Sequence, residues 1–358
     1  MLSSLTGIGR YTHEIAKAIE HRNLYTTEYF YGYYSKTLIH PNTNSEMKGL
    51  KALVASHPLI KKMARKLLML SSRLFAKSYD LYWQPNFIPN DGIKANKIVT
   101  SVHDFSFEHY KKFHRAETIE YFARYFYTRI HKSDHIITGS EFTKQEIIDR
   151  LNVSSDKIRV IYHGIDHEIF REEISVPPAC ELPDKFILSV GSIEPRKNLI
   201  GLLHAYTQLD ARLRQEYKLI LVGFQGWENR EIMNFIQQHK EDIHYLGFVN
   251  DKELAHIYHQ ATCFVYPSFY EGFGLPVLEA MACGTPVICS NTTSLPEVGG
   301  DAVIYCNPQD INDIQAKIEC LLRDPVSQQK MMQKGLQRAK MFSWEKSAEA
   351  HLQLFREV

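Results

Sequence analysis

The sequence has few cysteines, almost no net charge and no long apolar run. Its six cysteines (Cys180, Cys263, Cys283, Cys289, Cys306, Cys320) contain no C-x-x-C step, and several lie inside apolar stretches. That spacing excludes a disulfide frame or a thiolate metal site and reads as buried thiols in a reducing compartment. A formal net charge of +1 gives no global attraction to nucleic acid, which is not an expected partner. No apolar stretch approaches the ~20 residues that span a bilayer. Met1 to Gly9 lacks the basic start and apolar core of a secretory signal. No D-x-D step or clustered His/Cys spacing calls for a catalytic metal, so the expectation is no metal and no cofactor. These absences suit a cytoplasmic protein, or one peripheral on the inner face of the cell membrane. What is present suffices for folding: 358 residues, 44% hydrophobic, match two domains of moderate size, each with a core.

The second half carries the clearest rhythm. Short apolar runs at Phe186–Val190, Leu219–Val222, Tyr245–Leu246, Cys263–Tyr266, Val287–Cys289 and Val303–Tyr305 alternate with helical patterns at Leu199–Leu209, Asp251–Gln260, Pro276–Ala282 and Asp310–Leu322. Asp251 is placed to cap its helix. The alternation predicts an α/β fold with a doubly wound parallel sheet, Rossmann-like. The first half repeats it with strands at Leu81–Trp83, Ile98–Val102, Ile136–Thr138 and Ile158–Tyr162. The proline-rich stretch from Glu172 to Asp184 reads as the linker. The predicted domains are therefore 1–170 and 185–340. Gly7-Ile8-Gly9-Arg10-Tyr11 reads as a turn opening a helix from Thr12 to Glu20. Only six residues, half of them polar, precede it, so the strand that should feed it is absent or lies upstream.

The sharpest motif is Glu271-Gly272-Phe273-Gly274-Leu275-Pro276-Val277-Leu278-Glu279, an E-x7-E pattern between a strand and a helix. Glycines let the backbone approach a ligand, Pro276 suits a first helical turn, and helix N-terminal amides attract anions. Glu271 can accept hydrogen bonds from sugar hydroxyls, and Glu279, one turn into the helix, can grip a ribose diol. This nonapeptide resembles the signature of glycosyltransferase family 4, a retaining group with the GT-B fold of two Rossmann-like domains facing a cleft. The resemblance runs from Gly7 to about Trp344. Overall it is nearest to bacterial mannosyltransferases of lipopolysaccharide O-antigen biosynthesis.

Gly191-Ser192-Ile193-Glu194-Pro195-Arg196-Lys197-Asn198 follows the strand Phe186–Val190, where parallel sheets bind ligands. Two cations at a helix start oppose the dipole unless an anion sits between them. The resemblance implies that Arg196 and Lys197 neutralise a leaving nucleotide diphosphate, with Gly191 and Ser192 lining the same turn. It also implies that His103, in Val102-His103-Asp104, contacts the donor sugar, with Asp104 a lesser candidate. It assigns Gly9, and more weakly Gly7 and Arg10, to a glycine loop near the donor phosphates. The backbone of Phe248 and Val249 is assigned to the nucleotide base, and that of Gly272, Phe273, Gly274 and Leu275 to the approach to the donor; Gly223 ends its strand where a ligand can lie. His163 stands where the family more often has Asn. Gly139-Ser140-Glu141-Phe142, after the strand Ile136–Thr138, is as readily purely structural as part of the site, and Thr143 with Glu146 has capping-box spacing. Residues 341–358, opening at Phe342-Ser343-Trp344, resemble the closing helix that crosses back to the first domain.

The expected catalytic set is His103, Arg196, Lys197 and Glu271. The expected partners are a nucleotide-diphosphate sugar, with GDP-mannose first and a UDP-sugar as alternative, and a saccharide or lipid-linked acceptor. A GT-B sugar-nucleotide epimerase and an inactive sugar-nucleotide-binding module are the other readings. Between Ile60 and Ser78 six cations interleave with Met63, Leu67, Leu68, Leu70, Leu74 and Phe75. Such a pattern suits a helix lying on an anionic membrane as well as an ordinary surface helix.

Overall fold

The computed structural model describes residues 7–39, 77–172, 181–225 and 230–358. The chain enters through α1 (Gly7–Arg22), which buries Tyr11, Ile15, Ala16 and Ile19 along one face. A small antiparallel hairpin follows, β1 (Tyr29–Phe30) with β2 (Tyr34–Ser35). Then β3 (Ser78–Gln84), β4 (Lys94–Ser101), β5 (His135–Thr138) and β6 (Ile158–Val160) form a parallel sheet in that order. The crossovers are α2 (Ser106–His109) with α3 (Ala116–Ile130), and α4 (Glu141–Leu151).

The second sheet begins at β7 (Phe186–Val190), followed by α5 (Leu199–Thr207), α6 (Ala211–Glu216), β8 (Lys218–Val222) and α7 (Arg230–Gln238). It continues through β9 (Ile243–Gly247), α8 (Asp251–Gln260), β10 (Cys263–Tyr266), α9 (Leu275–Ala282) and β11 (Val287–Ser290). The remaining elements are α10 (Leu295–Gly299), β12 (Ile304–Cys306), α11 (Ile311–Leu322), α12 (Pro325–Ala339) and α13 (Trp344–Glu357). All six strands are parallel, in the order β12-β11-β10-β7-β8-β9. Alternate residues serve opposite faces. Phe186, Leu188 and Val190 enter one core, while Ile187 enters the other with Leu219, Val265 and Ile288. Helices on both faces explain why these strands are apolar runs.

From β7 the sheet grows one way through β8 and β9, and from β10 the other way through β11 and β12. The reversal lies between β7 and β10, where adjacent crossovers part and leave a crevice at the carboxyl ends of the strands. The chain then returns. Trp344, Ala348 and Leu352 of α13 pack on Tyr11, Ile15 and Ile19 of α1, and Leu354 joins Val99, Ile137 and Ile161.

Several local expectations are corrected. Gly7, Ile8 and Gly9 are not a turn but the first turn of α1; amides there have no intrahelical partner in any case, and the buried stripe from Tyr11 onward extends the helix backward. Asn250, not Asp251, caps α8, forming a capping box with Glu253. Ser140 caps α4 through Thr143 N, so Thr143 and Glu146 form no capping box. Cys320 is exposed, whereas Cys263, Cys283, Cys289 and Cys306 are buried thiols. Cys180, the residues before Gly7, most of the linker and residues 60–76 lie outside the described residues. Of the basic segment's far end, Lys77 pairs with Glu28 and Ser78 already belongs to β3. Among the described residues no helix is long and apolar enough to cross a membrane.

Candidate functional site

The site is built at the reversal between β7 and β10. After β7 the chain passes through Gly191 and Ser192 into a single 3-10 turn, Pro195–Lys197. Arg196 and Lys197 therefore precede α5 in a turn, not in the helix start expected from sequence. Asn198 follows with φ 54° and is anchored by its side-chain amide to Pro308 O at 2.7 Å. The loop after β10 is stitched to this turn by Phe269 N donating to Arg196 O at 2.9 Å. That stitch brings Glu271 onto both cations.

Lys197 Nζ donates to Glu271 Oε1 at 2.6 Å, and Arg196 Nη1 donates to Glu271 Oε2 at 3.2 Å. The Lys197, Arg196 and Glu271 side chains are 13%, 20% and 9% exposed. Charges this far from water persist only when paired. Burial pushes the Glu271 carboxyl up, but Lys197 and Arg196 outweigh it and bring its pKa to about 2. Burial and neighbouring Arg196 pull the Lys197 ammonium below its ordinary value against Glu271. Arg196 stays charged: burial opposes this, but Glu271 and Glu194 more than compensate. Glu194 accepts from Arg196 Nε at 3.0 Å and from Ser192 Oγ at 2.8 Å. Arg196 and Lys197 are thus balanced by Glu271 and Glu194, and an oxyanion entering the crevice can take a carboxylate's place on their donors.

Glu279 does sit one turn into α9, and it is buried. Its carboxylate takes Arg10 Nη1 at 2.7 Å and the Tyr258 hydroxyl at 3.2 Å. Arg10, from α1, also reaches Asp251 Oδ1 at 2.5 Å. A residue that sequence reasoning ranked low thus bridges the two halves at the second glutamate of the motif.

His103 ends the segment after β4, 7% exposed. Burial lowers its pKa, and its Nε2 bonds Pro85 O at 2.8 Å. A carbonyl partner fixes that nitrogen as the donor, and burial favours the neutral ring, in which Nδ1 is the acceptor. The E-x7-E loop presses against it: a Cβ on Gly272 would stand 2.0 Å from His103 O and 2.9 Å from Asp104 Cβ. Only glycine permits that approach. Ser140 Oγ donates to Gly272 O at 2.8 Å, so the segment left open between a structural and a site role holds the site loop. Phe273 is buried against His163, with ring centroids 4.8 Å apart, so its side chain packs the junction between halves. Gly274 is the N-cap of α9, and Leu275 lies against Gly7 of α1. Gly9 is helical, half-buried in α1's first turn.

At the other end, Gly223 has φ +145° and lies so close to the preceding loop that a Cβ would fall 1.9 Å from Gly191 O. Phe248 is 57% exposed and stacks on Phe224, with centroids 4.4 Å apart, while Val249 packs against the core. Asp104 Oδ1 accepts from Ser106 N at 2.9 Å. Among the described residues no group of three His, Cys, Asp or Glu gathers as a metal site.

Sequence reasoning passed over Tyr266, Tyr270 and Phe224. Tyr266 and Phe224 lie at or just beyond strand ends, the signal that picked out Lys197. Tyr270 adjoins Glu271, and its hydroxyl donates to Glu146 Oε2 at 2.5 Å and accepts from Phe105 N at 2.7 Å.

The family described as Glycosyltransferase Family 4 matches residues 5–169, and that described as Glycosyl transferases group 1 matches residues 170–338. The chain is 35% identical to O-antigen chain mannosyltransferase B of Escherichia coli, over 95% of its own length and 93% of that protein's. The chain is a family 4 glycosyltransferase. As a fold, this glycosyltransferase superposes on sucrose-phosphate synthase of Thermosynechococcus elongatus with a TM-score of 0.71 at 22% identity, covering 99% of this chain and 94% of that one. It superposes on WaaG, a glycosyltransferase involved in lipopolysaccharide biosynthesis, with a TM-score of 0.69 at 13% identity, covering 97% and 95%. The glycosyltransferase has the GT-B architecture, two Rossmann-like halves about one crevice.

Proposed function

We propose that this glycosyltransferase moves mannose from GDP-mannose to a saccharide or lipid-linked saccharide acceptor in O-antigen or other cell-surface polysaccharide assembly. Transfer proceeds with retention at the anomeric carbon and without a metal. The observation that carries the reading is the convergence of Arg196, Lys197 and Glu271 at the β7–β10 reversal. The mannosyl donor rests on the 35% identity to an O-antigen chain mannosyltransferase along nearly the whole chain.

The bond between the sugar C1 and the diphosphate oxygen breaks, and the departing GDP keeps the electron pair. The acceptor hydroxyl attacks C1 from the same face and passes its proton to that phosphate oxygen. Arg196 and Lys197 meet charge that grows on the leaving group, so they favour the transition state over the ground state. Glu271, which pairs with both cations in the free enzyme, yields them to the diphosphate and turns its oxygens to sugar hydroxyls. Neutral His103 offers Nδ1 as an acceptor beside the same loop.

Two measurements test the reading. In a thermal-shift series with GDP-mannose, UDP-glucose, UDP-galactose and UDP-N-acetylglucosamine, GDP-mannose gives the largest rise, because a ligand that binds only the folded state stabilises it. A larger rise with a UDP-sugar reassigns the donor. Lys197→Ala lowers turnover by roughly 100- to 1,000-fold with an unchanged circular dichroism spectrum, and chelator leaves the wild-type rate intact. A near-normal rate for that variant removes the mechanism.

A further inference from the structure

Tyr266 closes β10 at the same reversal, and its hydroxyl forms the third corner of the Lys197–Glu271 pair. It accepts from Lys197 Nζ at 2.6 Å and donates to Glu271 Oε1 at 2.8 Å. The residue is 2% exposed, and its ring lies in the core with Phe264 and Phe273. Phenylalanine would fill the same apolar volume, whereas a buried hydroxyl is costly unless its hydrogen bonds are made. Here both of those bonds go to the charged pair.

The three residues differ in how firmly they are held. Lys197 ends a 3-10 turn and Glu271 lies in a loop, while Tyr266 is paired into a strand buried along its whole length. A lysine side chain has four rotatable carbons, so its ammonium is placed by what it touches. A diphosphate competes with Glu271 for that ammonium. The neutral hydroxyl carries no charge to compete with and keeps its hold in either state.

We propose that Tyr266 is a positioning residue for sugar transfer: its strand-borne hydroxyl, held in turn by Glu271, fixes Lys197 Nζ against the leaving diphosphate. This rests on Lys197 being the cation that meets the leaving group. The charged and titratable groups facing Lys197 are Arg196 and Glu194 from its own turn, Glu271 from the next loop and Tyr266 from β10. Tyr266→Phe changes only the last.

The test compares wild type, Tyr266→Phe, Lys197→Ala and the double variant. Each is assayed as release of nucleotide diphosphate from the donor selected by the thermal series, from pH 6 to 10. Tyr266→Phe is expected to lower kcat about 10- to 100-fold with donor KM within about threefold, the signature of an interaction made in the transition state. The alkaline limb of its kcat profile moves to lower pH, because the ammonium has lost an acceptor. In the Lys197→Ala background the same change has no further effect on kcat, since the hydroxyl acts through the lysine. Equal losses in both backgrounds, or a kcat scaled down alike at every pH with an unmoved limb, overturn the proposal. So does a variant unfolded at the assay temperature, which would make the hydroxyl structural. If Lys197→Ala itself is near normal, the reading of Lys197 fails first. A full Lys197→Ala loss beside an unaffected Tyr266→Phe removes only the role of Tyr266.

Discussion

A buried carboxylate persists as an anion only if its charge is met, and Glu271 meets two cations at once. Burial raises its pKa, the cations reverse that, and the folded value of about 2 lies below the ordinary 4.5. The resulting stabilisation is complete above the ordinary value and is lost as pH falls from there through the folded value. At pH 7 it is on the order of 3 kcal/mol. Glu271→Gln is therefore expected to unfold at lower urea than wild type at pH 7, with the gap narrowing steadily from pH 5 to pH 3. A gap that stays constant across that range removes the pairing from the stability of the site. Arg196 and Lys197 were legible in the sequence because they follow an apolar run that ends in a glycine turn, and Glu271 because it opens the E-x7-E motif. Tyr266 was not. A tyrosine inside an apolar run becomes a polar contact only once strand register decides which loop lies beside it.

Helices show a similar division. α4 presents its N-terminus toward α10, and Glu297 accepts from Glu141 N and Phe142 N, each at 2.8 Å. Those amides have no partner within α4, and a carboxylate there also meets the positive end of the dipole. Glu297→Ala should destabilise the protein by about 1–2 kcal/mol, measured by urea denaturation, with a smaller loss in high salt. A change within experimental error would mean that water serves those amides equally well. Apolar runs located the strands to within a few residues. Helix starts were harder: a glycine pair looks the same in a turn as in a first helical turn, and Asn250 precedes Asp251, so either can cap. Packing and backbone angles decide such cases, and neither is local in sequence.

At the scale of the molecule, the polar pairs that tie one half to the other join distant parts of the chain. Arg10 meets Glu279 at a separation of 269 residues, and Tyr270 meets Glu146 at 124. The alternation of runs revealed two Rossmann-like halves, but no spacing reveals such partners. Tyr270→Phe keeps the ring among His109 and Phe142, yet leaves Phe105 N–H and Glu146 without the hydroxyl. It should cost about 1–3 kcal/mol by urea denaturation, and donor KM should rise because the loop bearing Glu271 is no longer clasped. A stability within 0.5 kcal/mol of wild type, a bound set by ordinary surface substitutions, would exclude the clasp. The return of α13 has a further consequence during synthesis on the ribosome. The face of α1 that carries Tyr11, Ile15 and Ile19 is made early, but Trp344, Ala348 and Leu352, which cover it, are made late. Until the tail emerges, Trp83, His103 and His163 can shield Tyr11, but the rest of that greasy stripe waits for α13.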